Sequence, residues 1–170
     1  AFIPGAASDC GAGTIVWSMV VSYNKSLTDT APTTAADFFD LDQWPGKRGM
    51  RQGPKVNLEM ALMADGVAPE DVYDMLATEE GRARAFAKRD TIKSEVQWWK
   101  SGAQAPEWLV SGDVVMSMAY NGRIAKAIEE GRDLEIIWDN TLFDVDVWVI
   151  PAGSPNVDMA HDFIKYVSDA

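Results

Sequence analysis

The stretch Asp113-Val114-Val115-Met116-Ser117-Met118-Ala119-Tyr120-Asn121-Gly122-Arg123-Ile124-Ala125-Lys126-Ala127-Ile128-Glu129-Glu130 reads as a strand, a tight turn and a helix in immediate succession. Residues 113–118 (DVVMSM) form a short apolar run after Gly112, the mark of a buried strand. Tyr120-Asn121-Gly122 makes the turn, with Asn121 as the expected helix cap, and the helix runs over residues 123–130. A strand that passes straight into a helix is the repeating step of an α/β domain.

The same step recurs on both sides. Residues 14–23 (TIVWSMVVSY), preceded by Gly11 and Gly13, read as a buried strand. Thr33 or Thr34 caps a short helix at 35–41, and Trp44-Pro45-Gly46-Lys47-Arg48-Gly49 turns into a strand at 49–52. After Pro54 a largely buried helix ends at Gly66. Helices at 70–77 and 79–92 follow, the first begun by Pro69 and the second capped by Thr78. A strand at 95–99 leads through Gly102-Ala103-Gln104-Ala105-Pro106 into a helix at 106–110. Strands at 134–138 and 142–151 and a last helix at 157–168 complete the chain. This alternation, with no repeat or interdomain linker, predicts one α/β domain over residues 1–170: a three-layer sandwich around a mostly parallel mixed sheet of about five strands.

The 170 residues are 47% hydrophobic and 24% charged, enough to bury one core. A net charge of −11 argues against nucleic acid or an anionic membrane surface as the partner and favours neutral or cationic ligands. One cysteine, Cys10, excludes an intrachain disulfide and a Cys-based zinc site. One histidine, His161, leaves little for Ser-His-Asp or Cys-His catalysis. No apolar run is long enough to span a bilayer, and Ala1-Phe2-Ile3-Pro4-Gly5 lacks the basic and apolar segments of a signal peptide. Neither GxGxxG nor GxxxxGK[ST] occurs at a strand–helix turn, so no nucleotide cofactor is expected. Glu79-Glu80 and the Asp37, Asp40, Asp42 group read as helix N-terminal charges and a solvated loop, so no metal site is expected either.

Ligands of open α/β sheets bind beyond the carboxyl ends of parallel strands. That rule selects Tyr120 and Asn121 at one junction and Gln104 at another. A third candidate group lies in Leu142-Phe143-Asp144-Val145-Asp146-Val147-Trp148-Val149-Ile150-Pro151. Strand alternation places Asp144, Asp146 and Trp148 on one face, the two carboxylates about 7 Å apart, a pattern that suits either a solvated face or a bound cation.

Four segments, in order, carry a resemblance: Ser8-Asp9-Cys10-Gly11-Ala12-Gly13-Thr14, Ala36-Asp37-Phe38-Phe39-Asp40 with Trp44-Pro45-Gly46-Lys47-Arg48-Gly49, Met118-Ala119-Tyr120-Asn121-Gly122-Arg123, and Asp144 to Pro151. Together they resemble the extracellular solute-binding proteins of ABC transporters, in their type II, spermidine/putrescine-binding branch. The resemblance implies a periplasmic or extracellular, non-enzymatic protein with the type II periplasmic-binding-protein fold. This chain resembles its second, inserted lobe, with hinge crossings near 8–14 and 142–150 and the first lobe missing. Implied partners are a small cationic solute of the polyamine kind and a membrane permease, and the exposed hinge face is a surface for self-association.

By the same resemblance Tyr120 stacks on the solute's methylene chain and Asp146 pairs with an ammonium. Asp144 stands where the branch often carries an aromatic, and acidic contacts near Gln52-Gly53-Pro54-Lys55-Val56 are lacking. The alternatives are a ligand-sensing effector domain of a regulator, for which no helix-turn-helix is visible, and a binding protein for another small solute. An enzyme on the same scaffold would need a positioned nucleophile or base, and the sequence offers no convincing one.

Overall fold

The computed structural model describes residue 3 and residues 5–169. The elements run β1 (Ala7–Ser8), β2 (Gly11–Asn24), β3 (Arg48–Arg51), α1 (Asn57–Ala64), α2 (Val72–Ala77), α3 (Glu79–Asp90), β4 (Val96–Trp99), α4 (Gln104–Ser111), β5 (Met116–Tyr120), α5 (Asn121–Glu129), β6 (Leu134–Trp148) and α6 (Val157–Ser168). Short 3₁₀ turns stand at Lys25–Leu27, Ala35–Phe39, Pro69–Asp71 and Lys93–Glu95. The helix expected at 35–41 is thus a 3₁₀ segment. Its N-terminus is tied down from outside, because Asp139 Oδ2 accepts the Ala35 N–H at 2.9 Å.

The sheet is mixed, in the order β1-β2-β5-β3-β4 with β6 also on β2. β4, β3 and β5 are parallel, with Arg51 opposite Trp99 and Gly49 opposite Ser117. β2 runs antiparallel to β5, Met19 facing Tyr120 and Tyr23 facing Met116. α4 and α5 pack on β5, and α1 packs on α2 and α3. β5 is buried from Met116 to Ala119, as a central strand covered on both faces must be. Met19, Val20, Val21, Met50, Met118 and Trp99 continue that core, each 1% exposed or less.

The chain falls into two compact units, Ser18–Leu142 and Ala1–Trp17 with Phe143–Ala170. In the second, β1 pairs with the start of β2 through Ala7 and Ala12, and the Trp148 ring meets Phe163 of α6 edge-on at 5.6 Å. The strands expected separately at 134–138 and 142–151 are one element, β6. Asp139-Asn140 looked like a break because these residues favour turns. Asn140 does take a positive φ of 50°, and the Thr141 hydroxyl donates to Trp138 O at 3.0 Å, so the irregularity is absorbed within the strand.

The larger unit also holds a buried arginine. Arg48, at the start of β3, is 0% exposed. Its Nε donates to Phe38 O at 2.7 Å, Nη1 to Gly46 O at 2.8 Å, and Nη2 to Asp40 O at 3.1 Å and Trp44 O at 2.5 Å. The guanidinium fastens the whole loop between the 3₁₀ turn and β3, a task for which its fork of five donors is suited. Burial pulls its pKa down to about 10, against the opposing pull of Asp40 and Glu95, so it stays charged at neutral pH.

Candidate functional site

Because β3, β4 and β5 are parallel and in register, their carboxyl ends form one edge. Arg51, Trp99, the 100–104 loop and Tyr120 lie along it, joined by the amino-terminal part of β2 in this unit through Met19. Tyr120, Asn121 and Gln104 therefore do come together on one edge, as the topological rule predicts.

Their side chains are held in specific ways. The half-buried Tyr120 ring meets the indole of Trp99 at 5.8 Å with planes at 62°, and Trp99 is fixed by its own Nε1–H donating to Met118 O at 3.1 Å. The ring also lies against Gly102, where a Cβ would stand 2.8 Å from Tyr120 Cδ2. Arg123 follows the ring: its Nε is 3.9 Å from that same Cβ position. Arg123 is exposed and has no ion-pair partner among the described residues.

Asn121 is not the helix cap that its residue type suggests. The cap position of α5 is Tyr120, which gives no side-chain hydrogen bond, and Asn121 Oδ1 instead accepts the Ser18 N–H of β2 at 3.1 Å. The chemistry is that of a cap, an amide oxygen meeting an orphan backbone N–H, but the N–H belongs to another strand. Its Nδ2 donates to no protein group among the described residues. Gln104, the first residue of α4, turns back on its own loop, where Oε1 accepts the N–H groups of Lys100 and Ser101, each at 2.9 Å.

Asp144 and Asp146 belong to the smaller unit and are described there. Both are exposed. Trp17 Nε1 donates to Asp146 Oδ1 at 3.0 Å, and Asp144 Oδ1 accepts the N–H of Val145 at 2.8 Å. Sequence reasoning missed Trp17, Gly102 and Arg123. The signal for Trp17 was faint: it sits in an apolar run where an indole reads as core. Arg123 was visible directly after the Asn-Gly step, and Gly102 sits in a strand–helix junction.

The acidic cluster of Asp37 and Asp40 lines an open cleft with Phe39, Asp42 and Lys88. Its carboxylates are spent on turns. Asp37 accepts the N–H groups of Thr33 and Thr34 and the Thr34 hydroxyl, and Asp40 accepts the N–H groups of Asp42 and Gln43. Among the described residues no group of three or more His, Cys, Asp or Glu could hold a metal ion, and no helix is long and apolar enough to cross a membrane.

A mixed sheet with aromatic and cationic groups along its carboxyl edge is the setting in which open α/β domains hold small ligands. Residues 7–170 match the bacterial extracellular solute-binding protein family, and the chain belongs to it. A γ-aminobutyric acid-binding protein of Pseudomonas aeruginosa is 52% identical over 167 residues, 98% of this chain and 47% of that protein. The chain thus spans about half the length of that curated relative. The PBP MotA from A. tumefaciens B6, solved in complex with glucopine, is 34% identical with a TM-score of 0.90 over 98% of this chain and 52% of its own. The spermidine/putrescine substrate-binding protein PotD from Streptococcus pneumoniae is 16% identical, with a TM-score of 0.72 over 92% of this chain and 47% of its own, and at that level shares the fold alone.

Proposed function

We propose that the chain is the second lobe of a two-lobe periplasmic solute-binding protein of an ABC importer, and that its solute carries both a carboxylate and an ammonium, as γ-aminobutyrate does. The observation that carries this reading is the donor character of the larger unit's edge. Asn121 Oδ1 accepts from Ser18, which leaves Nδ2 to donate, and Arg123 offers a guanidinium without an anionic partner among the described residues. Both suit a carboxylate, with the Tyr120 ring as a wall for methylene groups. The smaller unit, taken by itself, carries the exposed carboxylates Asp144 and Asp146. Each charge-assisted hydrogen bond contributes about 1.5–3 kcal/mol. The relative named for γ-aminobutyric acid supports the same solute class.

The two-lobe reading draws support from the unit boundaries at 17/18 and 142/143, beside the expected crossings at 8–14 and 142–150. Exposed Phe143, Val149, Met159 and Tyr166 in the smaller unit are apolar surface of the kind a first lobe, or a second copy, would cover. Closure of the two lobes on the solute would present the protein to its permease.

A polyamine is the second reading, favoured by two carboxylates two residues apart in β6, Asp144 and Asp146. Calorimetric titration of γ-aminobutyrate, putrescine and spermidine into the two-lobe protein containing this chain separates them. γ-Aminobutyrate binding that is lost in Arg123→Gln is expected. Binding of the diamines alone, indifferent to Arg123→Gln, would replace the first reading with the second.

A further inference from the structure

Gly102 and Gln104 touch the edge without an assigned part in it, and their geometry is specific. A Cβ on Gly102 would stand 2.8 Å from Tyr120 Cδ2 and 3.0 Å from Cε2, well inside carbon–carbon contact distance. Gly102 is not among the glycines with positive φ, so its backbone would accept alanine and the conflict lies with the ring alone. The ring can yield only by turning about its side-chain torsions. Its backbone is fixed by pairing with Met19, and the Trp99 indole that it also touches is 1% exposed and hydrogen-bonded to Met118 O.

The path of the loop beneath the ring is set in turn by Gln104. Its Oε1 gathers the Lys100 and Ser101 N–H groups at 2.9 Å each, its own N–H donates to Ser101 O at 3.0 Å, and the Ala103 N–H reaches Ser101 Oγ at 3.5 Å. Four hydrogen bonds thus close a five-residue loop, residues 100–104, around the one position that has no side chain.

We infer that Gly102 and Gln104 are positioning residues for solute binding: Gln104 shapes the loop, and bare Gly102 lets the Cδ2–Cε2 edge of the Tyr120 ring lie against it with the Arg123 guanidinium alongside. This assigns Gln104 to the loop and not to direct solute contact, and it rests on the solute-binding reading of that edge. A larger residue at 102 rotates the ring away from Arg123 and uncouples the apolar wall from the cation.

The test uses the two-lobe protein labelled with 3-fluorotyrosine. The chain has four tyrosines, so the Tyr120 fluorine signal is assigned by its disappearance in Tyr120→Phe. Without any solute, Gly102→Ala and Gln104→Ala are expected to move that signal. Gln104→Glu, whose carboxylate also accepts the two N–H groups, is expected to leave it in place. With γ-aminobutyrate, Gly102→Ala is expected to weaken binding about tenfold, and to have an effect of less than about twofold in a Tyr120→Ala background.

An unmoved signal in Gly102→Ala, or an equal loss of affinity in both backgrounds, overturns the inference. Loss of affinity in Gln104→Glu with the signal in place returns Gln104 to direct contact. If Gly102→Ala does not fold, the Gln104→Ala and Gln104→Glu pair decides. Absence of γ-aminobutyrate binding in the unaltered protein refutes the solute, while the solute-free fluorine signal still decides the positioning.

Discussion

Replacing Arg48 with methionine removes a buried cation from a cage made only of backbone carbonyls, and the structure allows the cost to be worked out. Of the four acceptors, Phe38 O and Trp44 O belong to fully buried hydrogen bonds, whereas the bonds to Gly46 O and Asp40 O are partly buried. The last two can regain water. The first two cannot, and each loses a charge-assisted bond with a net value of about 1.5–3 kcal/mol. The expected loss is therefore about 3–6 kcal/mol, a large part of the ~5–15 kcal/mol that holds a domain together. Removing both members of a buried ion pair is often neutral because nothing is left unpaired. Here the carbonyls remain whatever residue replaces Arg48.

Urea unfolding followed by tryptophan fluorescence measures this through the midpoint at constant slope. Arg48→Lys keeps the charge but presents three donors from one point, too compact to reach carbonyls spread over residues 38–46, and should lose an intermediate amount. The pH dependence has a definite sign. Burial lowers the Arg48 pKa from the ordinary arginine range to about 10, so between that value and the ordinary range the unfolded chain binds the proton more tightly. Stability relative to Arg48→Met should rise with pH across that window. A methionine variant within about 1 kcal/mol of the unaltered protein, at unchanged slope, would refute the cage as a stabilising element.

Two further outcomes test the edge and its neighbour unit. Asn57 is 0% exposed, and its Nδ2 donates to Arg51 O and Gly53 O at 2.6 Å each. Asn57→Asp sets a carboxylate against those carbonyls, which raises the introduced carboxyl's folded pKa above its unfolded value. The loss should be about 2–3 kcal/mol or more at pH 7 and should shrink at pH 4, where the group is protonated; equal urea midpoint shifts at both pH values would contradict this. Trp17→Phe removes a half-buried donor to Asp146 within the smaller unit and should change stability by less than about 1 kcal/mol in urea unfolding. A melting loss well above that would make Trp17 a packing residue instead.

The alternation of strands and helices was legible because burial enforces it. The DVVMSM run is a strand, although it starts at Met116, and residues 157–168 form the expected helix. What was not legible is where polar side chains turn. Asn121 has the composition of a cap, yet its oxygen serves Ser18, 103 residues earlier in the chain. Gln104 was selected by topology, which is right about the edge and silent on the direction of an amide. Asp139-Asn140 read as a turn because local preference was all the sequence showed; the pairing of β6 with β2 overrides it. Trp17 and Asp146 are 129 residues apart, so no local pattern links them.

The direction of those amides is also what distinguishes one solute class from another. Net charge of −11 and a pair of aspartates favour a neutral or cationic ligand, and the resemblance to the spermidine/putrescine-binding branch narrows that to a polyamine. The structure adds the sign of each site group after its internal bonds are satisfied. Asn121 Oδ1 accepts one hydrogen bond from Ser18 and Nδ2 is left to donate, Arg123 has only donors, and the Tyr120 ring precedes both in sequence. On the proposed reading a carboxylate meets two donors there, Asn121 Nδ2 and the Arg123 guanidinium. The Asn121 amide, already oriented by Ser18, costs little entropy to engage. Charge summed over a whole chain says little about a site in which each polar side chain has already committed one of its ends.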